Sequence, residues 1–486
     1  MSAVLAIDAG TTGVRTRAVF SDGRPSFSSY REFTQHFPRP GWVEHDATEI
    51  YSAVVQTLAD VIAQLNEPVS AIGITNQRET VVAWNRKTGQ PCANAIVWQD
   101  RRTAERCDEL TPHLDRVRDI TGLVLDPYFS GTKAAWLMAN APMPPIADLC
   151  IGTIDTWIIW NLTSGRTFVT DPTNASRTML FDIRTMQWSE EMCDLIGVPL
   201  SVLPEVRPSS HRYGATQDVP GVPDNIAISG IAGDQQAALF GQVCTTPGMA
   251  KNTYGTGSFV LMNIGATCPP PAEGMLTTVA WDLGDGSPTY ALEGAIFVTG
   301  AAVQWLRDGL GIISSSSDIG PLAMSVPDSG GVYVVPAFTG LGSPWWDPYA
   351  RGTIIGITRG TTRAHIARAV VDAMVFQTRD AIDAMSAAGG VSLNELRVDG
   401  GASVMDDMLQ HQANELGVPV LRPTDHETTA LGAAYLAGLA EQVWGSLDEV
   451  AQMWQLDQRF EPTQRDHSHD QWLRAVERSR NWEEHK

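Results

Sequence analysis

Asp8-Ala9-Gly10-Thr11-Thr12-Gly13, near the start of the chain, and Tyr254-Gly255-Thr256-Gly257-Ser258, halfway along it, decide the fold. Each lies between two apolar segments that read as strands, so each marks the tip of a β-hairpin, and the repetition predicts two similar domains. Glycine at such tips tolerates positive φ and lets another group approach the backbone closely. Free N–H groups and threonine hydroxyls then face outward as the donors a polyphosphate needs. A nucleotide held between the two halves follows.

Working outward, 486 residues exceed what one hydrophobic core supports, and the chain is expected to divide into domains 1–243 and 244–486. The first hairpin covers residues 3–8 and 14–20. An amphipathic helix opens at Asp46-Ala47-Thr48-Glu49 and runs on Ile50, Val54, Leu58 and Val61 to about residue 65, before a strand at 70–75. The second half repeats the theme with strands within 250–263, at 332–336 and at 396–399, and a long helix over 361–388 stopped by Gly389-Gly390. Strands alternating with helices predict an α/β layer architecture. Ser314 to Ser317 reads as a surface loop.

The balance of 34 Lys and Arg against 55 Asp and Glu gives a net charge of −21, which argues against a nucleic-acid or anionic-membrane surface. Any anionic ligand must meet local basic residues or a metal ion. The six cysteines (92, 107, 150, 193, 244 and 268) include no CxxC pair, so they read as buried small hydrophobes in a reducing compartment. The apolar run at the N-terminus is broken by Asp8 and is too short for a signal sequence. No later window suits stable membrane insertion, and a cytoplasmic location is expected. His467-Ser468-His469-Asp470 lacks a distant Cys or His partner and reads as a solvated terminus rather than a metal site.

Four motifs carry chemistry. The first hairpin ends in Arg15, bringing backbone donors, two threonine hydroxyls and a guanidinium within eight residues, a set able to hold β- and γ-phosphates; a tight hairpin with Asp8 bonding its own turn is the alternative. Leu396-Arg397-Val398-Asp399-Gly400-Gly401 is a strand running into glycines and a helix start, where a phosphate or ribose lies against N–H groups. Ile231-Ala232-Gly233-Asp234-Gln235 places an acid beyond an apolar strand, as a helix N-cap, a general base, or both. Asn76-Gln77-Arg78-Glu79-Thr80 closes another strand with adjacent opposite charges. Either these form a bare salt bridge or, with Trp98, they grip vicinal hydroxyls while the indole covers a C–H face.

These segments, together with Pro40-Gly41-Trp42-Val43-Glu44-His45-Asp46, Asp126-Pro127-Tyr128-Phe129-Ser130-Gly131 and Thr173-Asn174-Ala175-Ser176-Arg177-Thr178, resemble the FGGY carbohydrate kinase family over nearly the whole chain, at its glycerol-phosphorylating branch. The resemblance implies two actin-like, ribonuclease-H-type domains flanking a catalytic cleft, with glycerol mainly on the N-terminal side and MgATP mainly on the C-terminal side. The implied reaction moves the ATP γ-phosphoryl group to glycerol, giving sn-glycerol 3-phosphate and ADP. By carry-over, Arg78, Glu79, Tyr128, Asp234 and Gln235 hold hydroxyls, Trp98 and Phe259 line the carbon face, and Asp234 is the base. Thr11, Thr12, Arg15, Thr256, Gly300, Gln304 and Gly401 meet the nucleotide, while Asp8 and Asp234 lie near Mg²⁺.

Three positions depart from the family pattern: Ala9 stands where Gln is usual, Gly13 where a Ser can donate to phosphate, and Met405 where an Asn lies near the adenine. Met405 packs on a purine face but cannot hydrogen-bond its edge, so relaxed base selectivity is expected. Relatives suggest a homodimer or homotetramer. Two rivals stand beside this reading: a kinase of the same family acting on a longer polyol or ketose, and a non-catalytic ATP-dependent sensor or chaperone, which needs the hairpins but not Asp234 or the polyol set.

Overall fold

The computed structural model describes residues 2–463 and 468–483. Its first half is built on a six-stranded sheet of β1 (Ala3–Ala9), β2 (Gly13–Phe20), β3 (Phe27–Glu32), β4 (Val69–Asn76), β5 (Ser210–Ala215) and β6 (Ala227–Gly233), in the order β5-β6-β4-β1-β2-β3. The second half carries a seven-stranded sheet of β7 (Met249–Tyr254), β8 (Ser258–Gly265), β9 (Leu276–Trp281), β10 (Thr289–Ile296), β11 (Glu395–Gly400), β12 (Val420–Pro423) and β13 (Leu456–Phe460), in the order β9-β10-β8-β7-β11-β12-β13. The pairings repeat. β1 runs antiparallel to β2 and parallel to β4, which runs parallel to β6; β7 runs antiparallel to β8 and parallel to β11, which runs parallel to β12. The duplicated hairpins of the sequence are thus the central elements of two copies of one topology.

The helices that matter for the site are α1 (Ala47–Ile62), α2 (Asp234–Gly241), α3 (Gly300–Gln304), α4 (Arg363–Gly389), α5 (Asp406–Leu416) and α6 (Thr428–Ala440). α1 begins where Asp46 accepts from the N–H groups of Thr48 and Glu49, and it buries Ile50, Val54, Leu58 and Val61, the stripe its spacing predicts; it stops at Ile62, short of Leu65. α6 is different. Its sequence, TTALGAAYLAGLA, has no polar face, so it must be buried on every side, and it packs against β1, β4, β6 and α2 of the first half. Small residues permit that approach: a Cβ on Gly73 would stand 2.0 Å from the backbone oxygen of Ala433. The resulting core joins Val4, Ala71, Leu239 and Phe240 to Ala433, Leu436 and Ala437, so a helix encoded in the second half completes the sheet packing of the first.

Several expectations need correction. Gly233 is the N-cap of α2 and Asp234 its first residue, so Asp234 is not the cap. The strand expected at 332–336 is Tyr333–Val335. Ser316–Asp318 is a short 3-10 turn capped by Ser315. Four cysteines are buried, but Cys92 and Cys268 are only half-buried. His467 lies outside the described residues. His469 is buried and bonds Asp380 at 2.7 Å, so it is a packed structural histidine and not solvated.

Candidate functional site

The chemistry-bearing residues sit at the carboxyl ends of the parallel strands, where an α/β sheet leaves a crevice. Asp8 closes β1, Asn76 to Glu79 follow β4 and Asp234 follows β6, while Thr256 tips the β7–β8 hairpin and Gly401 follows β11. Two cavities open there. One of about 620 Å³ is walled by Trp98, Tyr128, Phe259, Glu293, Phe297 and Trp346 among others. The other, about 780 Å³, is lined by Thr256, Gly300, Gln304, Ser317, Gly401 and Met405 among others. Gly255 and Thr256 line both, so the second hairpin tip is where the cavities meet.

A buried ionic network backs the smaller cavity. Arg78 is 2% exposed and Arg177 fully buried. Glu293 accepts from Arg78 Nη1 at 2.5 Å, Arg78 Nη2 at 3.2 Å and Arg177 Nη2 at 2.9 Å, while Glu79 Oε1 accepts from Arg177 Nε at 2.7 Å. Two guanidiniums and two carboxylates compensate one another, as burial requires. Burial alone would raise the Glu293 carboxyl, but Arg177 and Arg78 outweigh it and hold it at about 2. Glu79 adopts a left-handed φ of 60°, a strained conformation for a non-glycine residue that the network around its side chain over-determines.

Asp234 and Tyr128, two of the expected site residues, contact this network. Arg78 Nε lies 3.1 Å from Asp234 Oδ1, and Arg78 Nη2 donates to the Tyr128 hydroxyl at 3.3 Å. Asp234 itself is about a third exposed. Its neighbour Gln235 accepts from Lys251 Nζ at 2.5 Å; burial lowers that ammonium to about 8 against the pull of Asp399, Asp234 and Glu293. The Trp98 indole N–H donates to Thr11 Oγ1 at 3.0 Å, which fixes the ring edge-on to Tyr128 at 5.6 Å and leaves its apolar surface to the cavity.

The Thr173–Thr178 motif proves to be scaffolding. Thr173 Oγ1 accepts from the Gly233 N–H at 2.8 Å and Asn174 bonds Asn76 at 3.0 Å, which carries Arg177 to its place behind the cavity.

Of the expected hydroxyl-holding set, Trp98, Tyr128 and Phe259 wall the smaller cavity, Arg78 is hydrogen-bonded to the wall through Tyr128 and Glu293, and Glu79 and Gln235 do not line it but are held by Arg177 and Lys251. Of the expected nucleotide set, Thr256, Gly300, Gln304, Gly401 and Met405 line the larger cavity. Thr11, Thr12 and Arg15 do not line it: Thr12 is exposed at the first tip, and Arg15 is engaged by Glu427 at 2.5 Å. Glu293, Arg177, Lys251 and Glu427 were assigned no role from sequence. Glu293 interrupts an apolar strand, in YALEGAI, where an isolated charge signals a buried, paired group, while Lys251 sits in the mixed strand MAKNTY, whose polar neighbours hide that signal.

Asp8 tests the fit of a cation. Burial, and then the carboxylates of Asp234 and Glu427, raise its carboxyl to about 7, with only Arg15 pulling the other way. A buried carboxyl raised by neighbouring carboxylates suits a cation such as Mg²⁺. Among the described residues no group of three or more His, Cys, Asp or Glu forms a self-sufficient metal cage, so phosphate oxygens and water would complete the coordination, as Mg²⁺ prefers.

Comparison with known proteins agrees with this architecture. Residues 3–241 match the N-terminal domain of the FGGY family of carbohydrate kinases, and residues 250–441 match its C-terminal domain. Glycerol kinase 2 of Thermotoga maritima is 52% identical, covering 99% of this chain and 100% of that one. The glycerol kinase of Deinococcus radiodurans is 53% identical over 99% of this chain and 98% of its own length. The crystal structure of Plasmodium falciparum glycerol kinase with ADP superposes with a TM-score of 0.93 at 36% identity, covering 99% of this chain and 98% of that one. A xylulose kinase from Lactobacillus acidophilus shares the fold, with a TM-score of 0.86 at 20% identity. With both halves matched and the relatives aligned from end to end, the chain belongs to the FGGY family of carbohydrate kinases.

Proposed function

We propose that this chain transfers the γ-phosphoryl group of ATP to glycerol, producing sn-glycerol 3-phosphate and ADP, with Asp234 as the general base. The observation that carries this reading is the ion pair of Asp234 with Arg78 Nε at 3.1 Å, because Arg78 is itself locked by Tyr128 and Glu293, two residues of the smaller cavity wall. A carboxylate aimed by so rigid a partner accepts a proton from a hydroxyl lying against that wall. The oxygen of that hydroxyl bonds to the γ-phosphorus as the bond from phosphorus to the β,γ-bridging oxygen breaks, and ADP leaves with the electron pair.

Phosphoryl transfer asks little covalent chemistry of a protein, so positioning and charge do most of the work. Arg78, Glu79, Tyr128 and Gln235 orient glycerol, Trp98 and Phe259 cover its carbons, and Thr256 with the first hairpin tip holds the phosphates where the cavities meet. Gly300, Gln304, Gly401 and Met405 take the rest of the nucleotide. Bound at Asp8 and Asp234, Mg²⁺ neutralises charge on the phosphates. The relatives named glycerol kinase, at 52–53% identity from end to end, support glycerol over a longer polyol. The free cysteines suit a cytoplasmic enzyme, and a homodimer or homotetramer, as the family resemblance implies, is the assembly proposed.

An ATP-coupled assay with glycerol, dihydroxyacetone, erythritol, xylitol and D-xylulose tests the substrate. Selective turnover of glycerol is expected, since a site matched to hydroxyls rejects partners that leave polar groups unpaired. Preference for a five-carbon acceptor would reassign the cavity, and no turnover at all would favour a non-catalytic ATP sensor.

A further inference from the structure

We propose that the Tyr30 hydroxyl is a ligand for the terminal phosphates of the nucleotide, supplying at the first hairpin tip the side-chain donor that position 13 lacks. This rests on the reading above, in which that tip faces the phosphates, and adds to it a residue from the neighbouring strand. β3 lies antiparallel to β2 with Tyr30 opposite Arg15 and Glu32 opposite Gly13. From there the tyrosine reaches along the strand to the tip. A Cβ on Gly13 would fall 2.5 Å from the Tyr30 hydroxyl, 2.7 Å from Cζ of the ring and 2.5 Å from the Arg31 backbone oxygen. The phenol and the Arg31 backbone oxygen together occupy the space that a side chain at position 13 would fill, so the tyrosine packs directly on a bare glycine tip.

The hydroxyl is held in place but not used up. Its contact with Thr12 Oγ1 is 3.4 Å, beyond the usual 2.5 to 3.0 Å of O–H···O bonds. The ring is steadied by the Arg15 guanidinium, 5.6 Å from its centroid, and the side chain is 39% exposed. Phenol, threonine hydroxyl and guanidinium thus converge on one tip. A phenol donates one hydrogen bond, and an anionic oxygen is its strongest acceptor.

Titration calorimetry of ATP, ADP and AMP on the full chain, for wild type, Tyr30→Phe and Tyr30→Ala, tests the proposal. Tyr30→Phe keeps the ring against Gly13 and Arg15 and removes only the donor. It is expected to weaken ATP and ADP about threefold to tenfold, the scale of one hydrogen bond, and to leave AMP within about twofold. Tyr30→Ala removes ring and donor together and is expected to weaken ATP at least as much as Tyr30→Phe. Unchanged ATP affinity in Tyr30→Phe, or an equal loss for AMP, would overturn the proposal. Wild type that binds ATP no more tightly than AMP would overturn the phosphate role of the whole tip.

Discussion

Replacing Glu293 by Gln removes one charge from the buried network and almost no volume. In the wild type Oε2 accepts from Arg78 Nη1 at 2.5 Å, and Oε1 accepts from Arg78 Nη2 at 3.2 Å and Arg177 Nη2 at 2.9 Å. The glutamine oxygen can keep the Oε1 contacts, but its NH₂ then meets Arg78 Nη1 donor against donor. Holding the carboxyl at about 2 rather than its ordinary 4.5 favours the charged form by about 3 kcal/mol. Breaking a buried ion pair from one side costs about 3–5 kcal/mol. The two routes agree, and the expected loss of stability is about 3 kcal/mol at neutral pH. A carboxyl lowered on folding contributes fully above the unfolded-state value of 4.5 and loses that contribution as pH falls toward 2, so the gap between wild type and variant should narrow below pH 4.5. Urea unfolding followed by tryptophan fluorescence and far-UV circular dichroism, at pH 7.5 and pH 4, measures both quantities. A loss below about 1 kcal/mol at pH 7.5, the scale of a surface pair, would refute the view that this network is a tightly coupled anchor for Arg78.

Gly73→Ala drives a Cβ to within 2.0 Å of the Ala433 backbone oxygen, and neither β4 nor α6 can yield cheaply; about 3 kcal/mol of destabilisation is expected in the same urea melts, against no change if the contact is slack. His411, 3.2 Å from Asp372 and 3.8 Å from Glu415, is pushed down by burial but raised by those two carboxylates to about 9. A histidine raised on folding contributes most below its unfolded value of 6.5 and loses that contribution as pH climbs through 9; His411→Gln should therefore cost about 3 kcal/mol at pH 6 and far less at pH 10 in parallel denaturation curves. Met405 lines the larger cavity beside Ile319, Met324 and Met408, and a thioether cannot donate to a purine edge, so kcat/KM for ATP and GTP should lie within about tenfold of each other; a thousandfold preference for ATP would contradict it.

The duplicated topology was legible because hairpin tips announce themselves locally: Gly10-Thr11-Thr12-Gly13 and Gly255-Thr256-Gly257 need only the glycine and threonine chemistry of a turn. The same holds for Asp234, Arg78 and Glu79 at strand ends. The sequence pattern could not reveal that α6 crosses to the sheet of the first half, because an all-apolar helix states that it is buried but not by what. Nor could it assign Glu293 to Arg78 and Arg177, three residues separated by 116 and 215 positions and joined only by the folded chain. His469 misled for the opposite reason: its polar neighbours suggest solvent, while Asp380, far away in sequence, buries it. Ser316 and Ser317 read as an idle loop yet line the larger cavity, since a short serine run carries no hint of what faces it.

The decisive measurement compares wild type with Asp234→Ala in glycerol-dependent ADP release, alongside binding of glycerol and ATP to both proteins. Asp234 is about a third exposed and not part of the buried charge balance, so the variant should fold. If Asp234 takes the proton, kcat at saturating glycerol and ATP falls by about 10²- to 10⁴-fold, a larger change than the loss of its hydroxyl and Mg²⁺ contacts makes in the binding of either ligand. Turnover of glycerol by Asp234→Ala at the wild-type rate would contradict the assignment of the base and, with it, the mechanism built on its pairing with Arg78.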